Sequence, residues 1–475
     1  MTVLGLEDFD GPALIDSVSG LRLSRSELVD EALSFVSPIG VARSLVLLLC
    51  DMSPFTPVFY AGALLADHPV ALVDARAPAV ATASTLAAYG PEWVAGPVGT
   101  ANTLAEAGIE GAVARTSLGG ELVRLAVERR APLHPELALL LATSGTTGST
   151  KFVRLTRANV ESNARAIAEY LSLTPDERPI GSLPLHYSFG LSVLNSHWSA
   201  GAPLVLTPAS VLQRAFWGVM ETHECTSLAG VPFTYEMLER VGFREMELPA
   251  LHTLQQAGGA LDIGLAKAFG EHMAARGGRF FVMYGQTEAT ARIAYVPPDR
   301  LADKPGSAGI AVPGGRLGVD PGRTTSDDGR SVGEVIYSGP NVMMGYASTA
   351  ADLALGDKLG GVLRTGDIGY LDDESFLFLV GRSKRIAKVF GLRVNLDEVE
   401  RRLRADGPVA VVGAGESIWA FIGFGDVEKA KQIRQVLAQE YRVHKSALHV
   451  EVVDQIPTTS SGKTDYEQVQ TWIPS

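Results

Sequence analysis

The stretch LLLATSGTTGSTKFV, Leu139 to Val153, decides how the rest of the chain reads. An apolar strand runs straight into a loop of glycines and hydroxyl residues that leaves on a lysine. Gly145 and Gly148 allow backbone shapes in which successive N–H groups point inward, making a nest for an anion. Thr143, Ser144, Thr146, Thr147 and Ser149 add hydroxyl donors, and Lys151 adds a fixed positive charge. That chemistry suits a polyphosphate. Gly and Lys are not adjacent here, so the loop is not a Walker A motif. A mobile surface loop is the plainer reading of most Gly/Thr clusters; a buried strand entering and a lysine leaving weigh against it.

Outward from this loop, short apolar runs alternate with helix-period stretches. Strands are expected at 44–50, 69–74, 137–143, 203–207, 226–231 and 279–285, and helices at 54–67, 157–171 and 210–223. Such alternation implies an α/β fold with largely parallel sheets. After about Asp299 the pattern changes to glycine-punctuated β segments, GIAVPGGRLGVD, GEVIYSG and FLFLVG, which suggest a barrel-like subdomain at about 300–381. Helical period returns at 396–405 and 427–440, with a boundary near Arg382 to Arg385. We therefore expect a large N-terminal domain of stacked α/β sheets, residues 1–381, and a small α+β domain, residues 382–475.

A chain of 475 residues is about three times a single-domain length. Its 41 Lys and Arg against 53 Asp and Glu give a net charge of −12, which excludes a basic nucleic-acid wrapper. Cys50 and Cys225 are the only cysteines, too few for a disulfide framework or a four-cysteine zinc site. MTVLGLEDFDGPALID lacks the basic start of a signal peptide, and no apolar run reaches the roughly 18 residues of a membrane span, so a cytoplasmic enzyme is expected.

Further motifs follow in order: AGGALD (Ala257 to Asp262), YGQTEAT (Tyr284 to Thr290), LRTGDIGYLDD (Leu363 to Asp373), GRSK (Gly381 to Lys384), KVFGLRVNLDEVE (Lys388 to Glu400) and PTTSSGKTDY (Pro457 to Tyr466). Taken with TSGTTGSTK, they resemble the AMP-forming acyl-adenylating enzymes: acyl- and aryl-CoA synthetases, nonribosomal peptide adenylation domains and luciferase. The family usually has Pro and Gly flanking the loop lysine, where this chain has Thr150 and Phe152, and usually has Pro where Leu396 stands.

The resemblance implies a nucleotide site formed by Thr143, Ser144, Gly145, Thr146, Thr147, Gly148 and Lys151 at the phosphates. Gly258, Gly259, Ala260, Tyr284 and Gly285 would lie at the adenine, and Asp367 and Arg382 at the ribose. Thr287 and Glu288 would act at the α-phosphate and at Mg²⁺, and Lys463 would be the lysine of the mobile C-terminal lid. The hinge would be Lys384, and Gly391 would border the thiol tunnel. An acid pocket would be lined by His186, Val231, Phe233, Ala257, Gly258, Met283 and Gly285. Its apolar lining suits a fatty or aromatic acid. The stretch LPLHYSFGLS, Leu183 to Ser192, has no carboxylate to pair with an α-ammonium, which argues against an α-amino acid.

The implied activity is ATP-dependent formation of an acyl-adenylate with release of pyrophosphate. Acyl transfer to the thiol of CoA or of a carrier-protein phosphopantetheine would follow. Transfer to an amine, and a catalytically inactive nucleotide-binding relative, are the alternatives. The expected partners are a small carboxylic acid and an acyl carrier protein, with no nucleic acid and no membrane, in a monomer or homodimer.

Overall fold

A computed structural model describes residues 3–126, 131–142, 151–325, 330–382, 385–389, 392–404, 406–441, 443–459 and 463–474, with backbone only at 321–325, 386, 388, 392 and 393. Thr143, Ser144, Gly145, Thr146, Thr147, Gly148, Lys384 and Gly391 lie outside the described residues. The chain forms two compact units: residues 1–316 with 338–363, and residues 317–337 with 364–475.

The first unit holds two large sheets. Among the described residues one has nine strands, in the order Ile310–Ala311, Ala294–Val296, Arg279–Tyr284, Thr253–Gln256, Ser227–Gly230, Pro179–Gly181, Leu204–Leu206, Pro12–Asp16 and Arg22–Ser24. It is parallel from Arg279–Tyr284 through Pro12–Asp16 and antiparallel at both edges. The other has eight strands, with Leu137–Ala142, Val70–Asp74, Val46–Cys50 and Trp93–Pro97 as its parallel centre. VLLLC, Val46 to Cys50, is buried throughout because a central parallel strand is covered on both faces.

The helix Arg157–Leu171 starts where the sequence signals it. The Thr156 hydroxyl accepts from the Asn159 N–H, and the Asn159 side chain accepts from the Thr156 N–H. Such a cap contributes about 1 kcal/mol. The helix expected at 210–223 is shorter, Arg214–Thr222, because residues 210–213 form a separate turn, closed by the Gln213 N–H on the Ser210 carbonyl and by the Ser210 N–H on the Gln213 side chain.

Within the glycine-punctuated region, Ile310–Ala311 extends the nine-stranded sheet by pairing with Ala294–Val296. Gly345–Ala347 joins the eight-stranded sheet beside Phe152–Thr156. The remaining β segments, Arg316–Thr325, Ser331–Ser338, Val362–Leu371 and Leu377–Arg382, make a four-stranded sheet.

The second unit continues from that sheet through a hairpin, Ile386–Val389 and Leu392–Asn395, to a three-stranded sheet of Val409–Ala414, Ser417–Ile422 and Leu448–Val452. SIWAFI, Ser417 to Ile422, buries both faces. Ile418, Ala420 and Ile422 pack with Val399, Val411 and Leu437, while Trp419 and Phe421 pack with Val412 and Val469. The mixed α/β architecture, with a large N-terminal and a smaller C-terminal part, is the expected one. Among the described residues, no helix is long and apolar enough to cross a membrane.

Candidate active site

In the first unit the strand Arg279–Tyr284 delivers YGQTEAT into a tight turn. The Ile293 N–H returns to the Tyr284 carbonyl at 2.9 Å, and the Ala289 and Ala291 N–H groups both reach the Gln286 carbonyl. A Cβ on Gly285 would stand 1.6 Å from the Ala291 carbonyl oxygen, so no side chain fits there. Thr290 and Ala291 carry positive φ, of 59° and 115°. Such backbone strain costs about 1–3 kcal/mol per residue and persists where surrounding contacts enforce it. Here the Thr290 hydroxyl donates to the Asn341 carbonyl at 2.6 Å, and the Asn341 amide donates to the carbonyls of Ala289 and Arg292.

The turn aims Thr287 and Glu288. The Thr287 hydroxyl meets that of Ser188 at 3.2 Å. The Tyr346 O–H donates to Glu288 Oε1 at 2.6 Å, and the Lys151 ammonium lies 3.4 Å from the centre of the same ring. Burial, with the Glu288 carboxylate beside it, pushes the Tyr346 phenol up, so it stays a donor. Lys151 and Glu288, well separated in sequence, thus both meet one tyrosine. Tyr346 was not among the residues expected from sequence; it arrives because Gly345–Ala347 pairs with Phe152–Thr156, directly after Lys151.

On the neighbouring strand, Gly258 has φ +88°, and a Cβ there would stand 2.5 Å from the Tyr187 hydroxyl and 3.1 Å from Val231. Gly258 therefore packs closely against both Tyr187 and Val231. The Gln256 amide fixes the turn by donating to the Gly259 carbonyl at 2.9 Å. Ala257, Val231 and Met283 are buried, whereas Phe233, on the first turn of the helix Pro232–Arg240, is 48% exposed.

His186 Nε2 lies 3.7 Å from Asp74 Oδ2 at the end of the strand Val70–Asp74. Burial lowers the His186 pKa below its ordinary value despite Asp74, so the ring is neutral at pH 7. Burial raises the Asp74 carboxyl, but hydrogen bonds from Arg76, with the charges of His186, when protonated, and Arg76 behind them, outweigh it and leave the net shift downward.

In the second unit, Asp367 and Arg382 are cross-strand partners, and Arg382 Nε donates to Asp367 Oδ1 at 2.9 Å. The carboxylate is buried while the guanidinium reaches solvent. Lys463 is exposed next to a β-bridge between Thr458 and Thr464, and its carbonyl accepts from the Thr459 N–H at 2.7 Å. The Tyr466 O–H donates to Glu400 at 2.8 Å. The Arg385 guanidinium lies 4.0 Å from the centre of the Tyr466 ring while paired with Glu400 and Asp397.

A model of the AMP-binding enzyme family matches residues 10–347. Indoleacetate–CoA ligase of Aromatoleum aromaticum is 30% identical over 366 residues, covering 73% of this chain and 69% of that protein. Feruloyl-CoA synthase of an Amycolatopsis species is 30% identical over 353 residues, covering 69% and 68%. Among solved structures, o-succinylbenzoate coenzyme A synthetase from Bacillus subtilis in complex with AMP superposes with a TM-score of 0.78 at 21% identity, covering 99% of this chain and 98% of that one. The chain belongs to the AMP-binding enzyme family. Its activity is accordingly that of an AMP-forming carboxylate ligase.

Proposed function

We propose that this chain uses ATP to convert an aromatic or fatty carboxylic acid to its acyl-adenylate and then passes the acyl group to the thiol of CoA. A carboxylate is a poor electrophile; joining it to AMP supplies a leaving group. One carboxylate oxygen attacks the α-phosphorus in line and pyrophosphate departs. The thiolate sulfur then attacks the acyl carbon and AMP departs. The protein contributes positioning and charge stabilisation.

The observation that carries this reading is the Lys151–Tyr346–Glu288 cluster, which sets a cation over one ring and a carboxylate on its hydroxyl, next in sequence to Thr287. In this reading Lys151 and the 143–148 loop hold the β- and γ-phosphates, and Tyr284 with Gly258, Gly259, Ala260 and Gly285 holds the adenine. Asp367, an acceptor, takes the ribose hydroxyls beside Arg382. Thr287 and Lys463 meet the α-phosphate. Neutral His186, with Val231, Ala257 and Met283, borders the acid; Phe233 stands at the solvent side of that pocket.

Mg²⁺ suits this donor set. Among the described residues Glu288 Oε2 takes no hydrogen bond, and no group of three or more Asp, Glu, His or Cys forms a protein cage. One carboxylate with phosphate oxygens and water is what Mg²⁺ favours. When bound it would neutralise phosphate charge.

Rotation at Lys384 would withdraw Lys463 and present Gly391 to the incoming thiol. The relatives' names support CoA as acceptor, with a carrier-protein phosphopantetheine as the competing thiol. The test is pyrophosphate exchange over an acid panel, followed by CoA-dependent AMP release. Lys463→Ala should abolish exchange while sparing thioester formation from supplied acyl-adenylate. Full exchange in that variant would overturn the role of Lys463.

A further inference from the structure

Arg292 stands two residues after the YGQTEAT turn, and its side chain is 1% exposed. No described carboxylate pairs with it. Nη1 reaches the Tyr170 hydroxyl at 3.3 Å and the Met283 sulfur, Nη2 reaches the Ser192 hydroxyl at 3.2 Å, and Nε has no hydrogen-bond partner. The guanidinium lies 4.4 Å from the centre of the Phe189 ring. A thioether, two long hydroxyl contacts and a ring face are a poor environment for a group with five N–H donors and a permanent charge. Burying a cation without an anion is costly, and such groups are ordinarily paired.

Two other buried arginines show the structural solution. Arg154 donates to the carbonyls of Met344, Tyr346, Leu355 and Gly356, and Arg25, whose Nε is likewise without a hydrogen-bond partner, donates through both other nitrogens to the carbonyls of Gly5 and Ala202. Arg292 has no backbone acceptor of this kind. Its contacts instead lie among and next to the residues assigned above to the acid pocket. Met283 immediately precedes Tyr284, Ser192 and Phe189 lie on the helix that follows His186, and the neighbouring Tyr187 hydroxyl packs against Gly258. Burial lowers the pKa of this guanidinium, and the groups that pull it back up are the phenols of Tyr170 and Tyr187.

We propose that Arg292 is the counter-charge for a second carboxylate on the acid substrate, borne at the end remote from the carboxylate that is adenylated. This rests on the acid-activating reading above and narrows its substrate class to dicarboxylic acids. A planar guanidinium grips a carboxylate through two parallel hydrogen bonds. The groups to be displaced are the ones most easily moved, a flexible thioether and a serine hydroxyl.

The experiment compares plain benzoic, phenylacetic and cinnamic acids, their analogues with a second carboxyl group, and the methyl esters of that second carboxyl. Pyrophosphate release is measured with wild type and Arg292→Gln. We expect wild type to favour at least one diacid over its ester by about tenfold to a hundredfold in kcat/KM, the worth of a charged hydrogen-bonded pair. Arg292→Gln should lose that preference while its rates with plain acids change little, and Arg292→Lys should restore part of it. Absence of any diacid preference, or equal loss for plain acids and diacids in a folded Arg292→Gln, would overturn the proposal. So would an Arg292-dependent preference for neutral hydroxyl-bearing acids. If Arg292→Gln does not fold, inhibition of wild type by each diacid and its ester decides the matter. If no acid releases pyrophosphate, the acid-activating reading fails, and thermal shift of wild type with diacid against ester still tests Arg292.

Discussion

Two fully buried arginines in the large unit have opposite surroundings. Arg154, on the strand Phe152–Thr156, spends its donors on main-chain carbonyls of residues 344–356 and so ties that segment to the sheet. Arg292 meets side chains only, and one of its nitrogens meets nothing. Burial lowers both guanidinium pKa values; Asp352 and Asp357 pull Arg154 back up, whereas only phenols do so for Arg292. The first cation is finished by the fold and the second is left open by it. A buried charge is therefore informative through what surrounds it, more than through its depth.

The largest way to sharpen this contrast is Arg154→Met. It removes one donor from each of four carbonyls, and we expect a loss of roughly 4 kcal/mol in urea unfolding. Next is acid sensitivity beside Arg292. His197 is fully buried, and burial with the nearby Arg292 charge pushes its pKa down to about 4, against a hydrogen bond to the Val193 carbonyl. A base with a depressed folded pKa stabilises the fold above its unfolded value of about 6.5 and loses that contribution as pH falls toward 4. Unfolding free energy should drop by about 3 kcal/mol over that window. His197→Gln should remove most of this slope. If the slope is unchanged, His197 is not its source.

A smaller effect is expected for Tyr346→Phe, in the segment Arg154 secures. Glu288 loses one hydrogen bond, and kcat/KM for adenylation should fall by about fivefold, near 1 kcal/mol. The smallest is the stability change of Arg292→Gln without ligand, within about 1 kcal/mol of wild type in either direction, because an unpaired buried cation contributes little to the fold. A loss as large as that of Arg154→Met would erase the contrast.

The features legible in sequence were those set by neighbouring residues. The helix Arg157–Leu171 follows from its period. Asp367 and Arg382 sit in short turn-and-strand motifs that meet across a single hairpin. What stayed hidden depends on distant pairing. Tyr346 reaches Lys151 and Glu288 only because a three-residue strand joins the sheet edge there. Ile310–Ala311 enters the nine-stranded sheet for a similar reason: a strand edge was available and no local pattern announces it. Arg292 did leave a trace, a charged residue leading the apolar run IAYV, but a charge beside a turn reads as solvated until burial is known.

The contacts around Arg385 carry one more consequence. The Tyr466 ring lies against that guanidinium and its hydroxyl is held by Glu400, so the segment that follows Lys463 is tied to the residue just before the strand Ile386–Val389. A change of backbone direction at Arg385 would thus reach the segment after Lys463 through two side-chain contacts as well as through the chain itself.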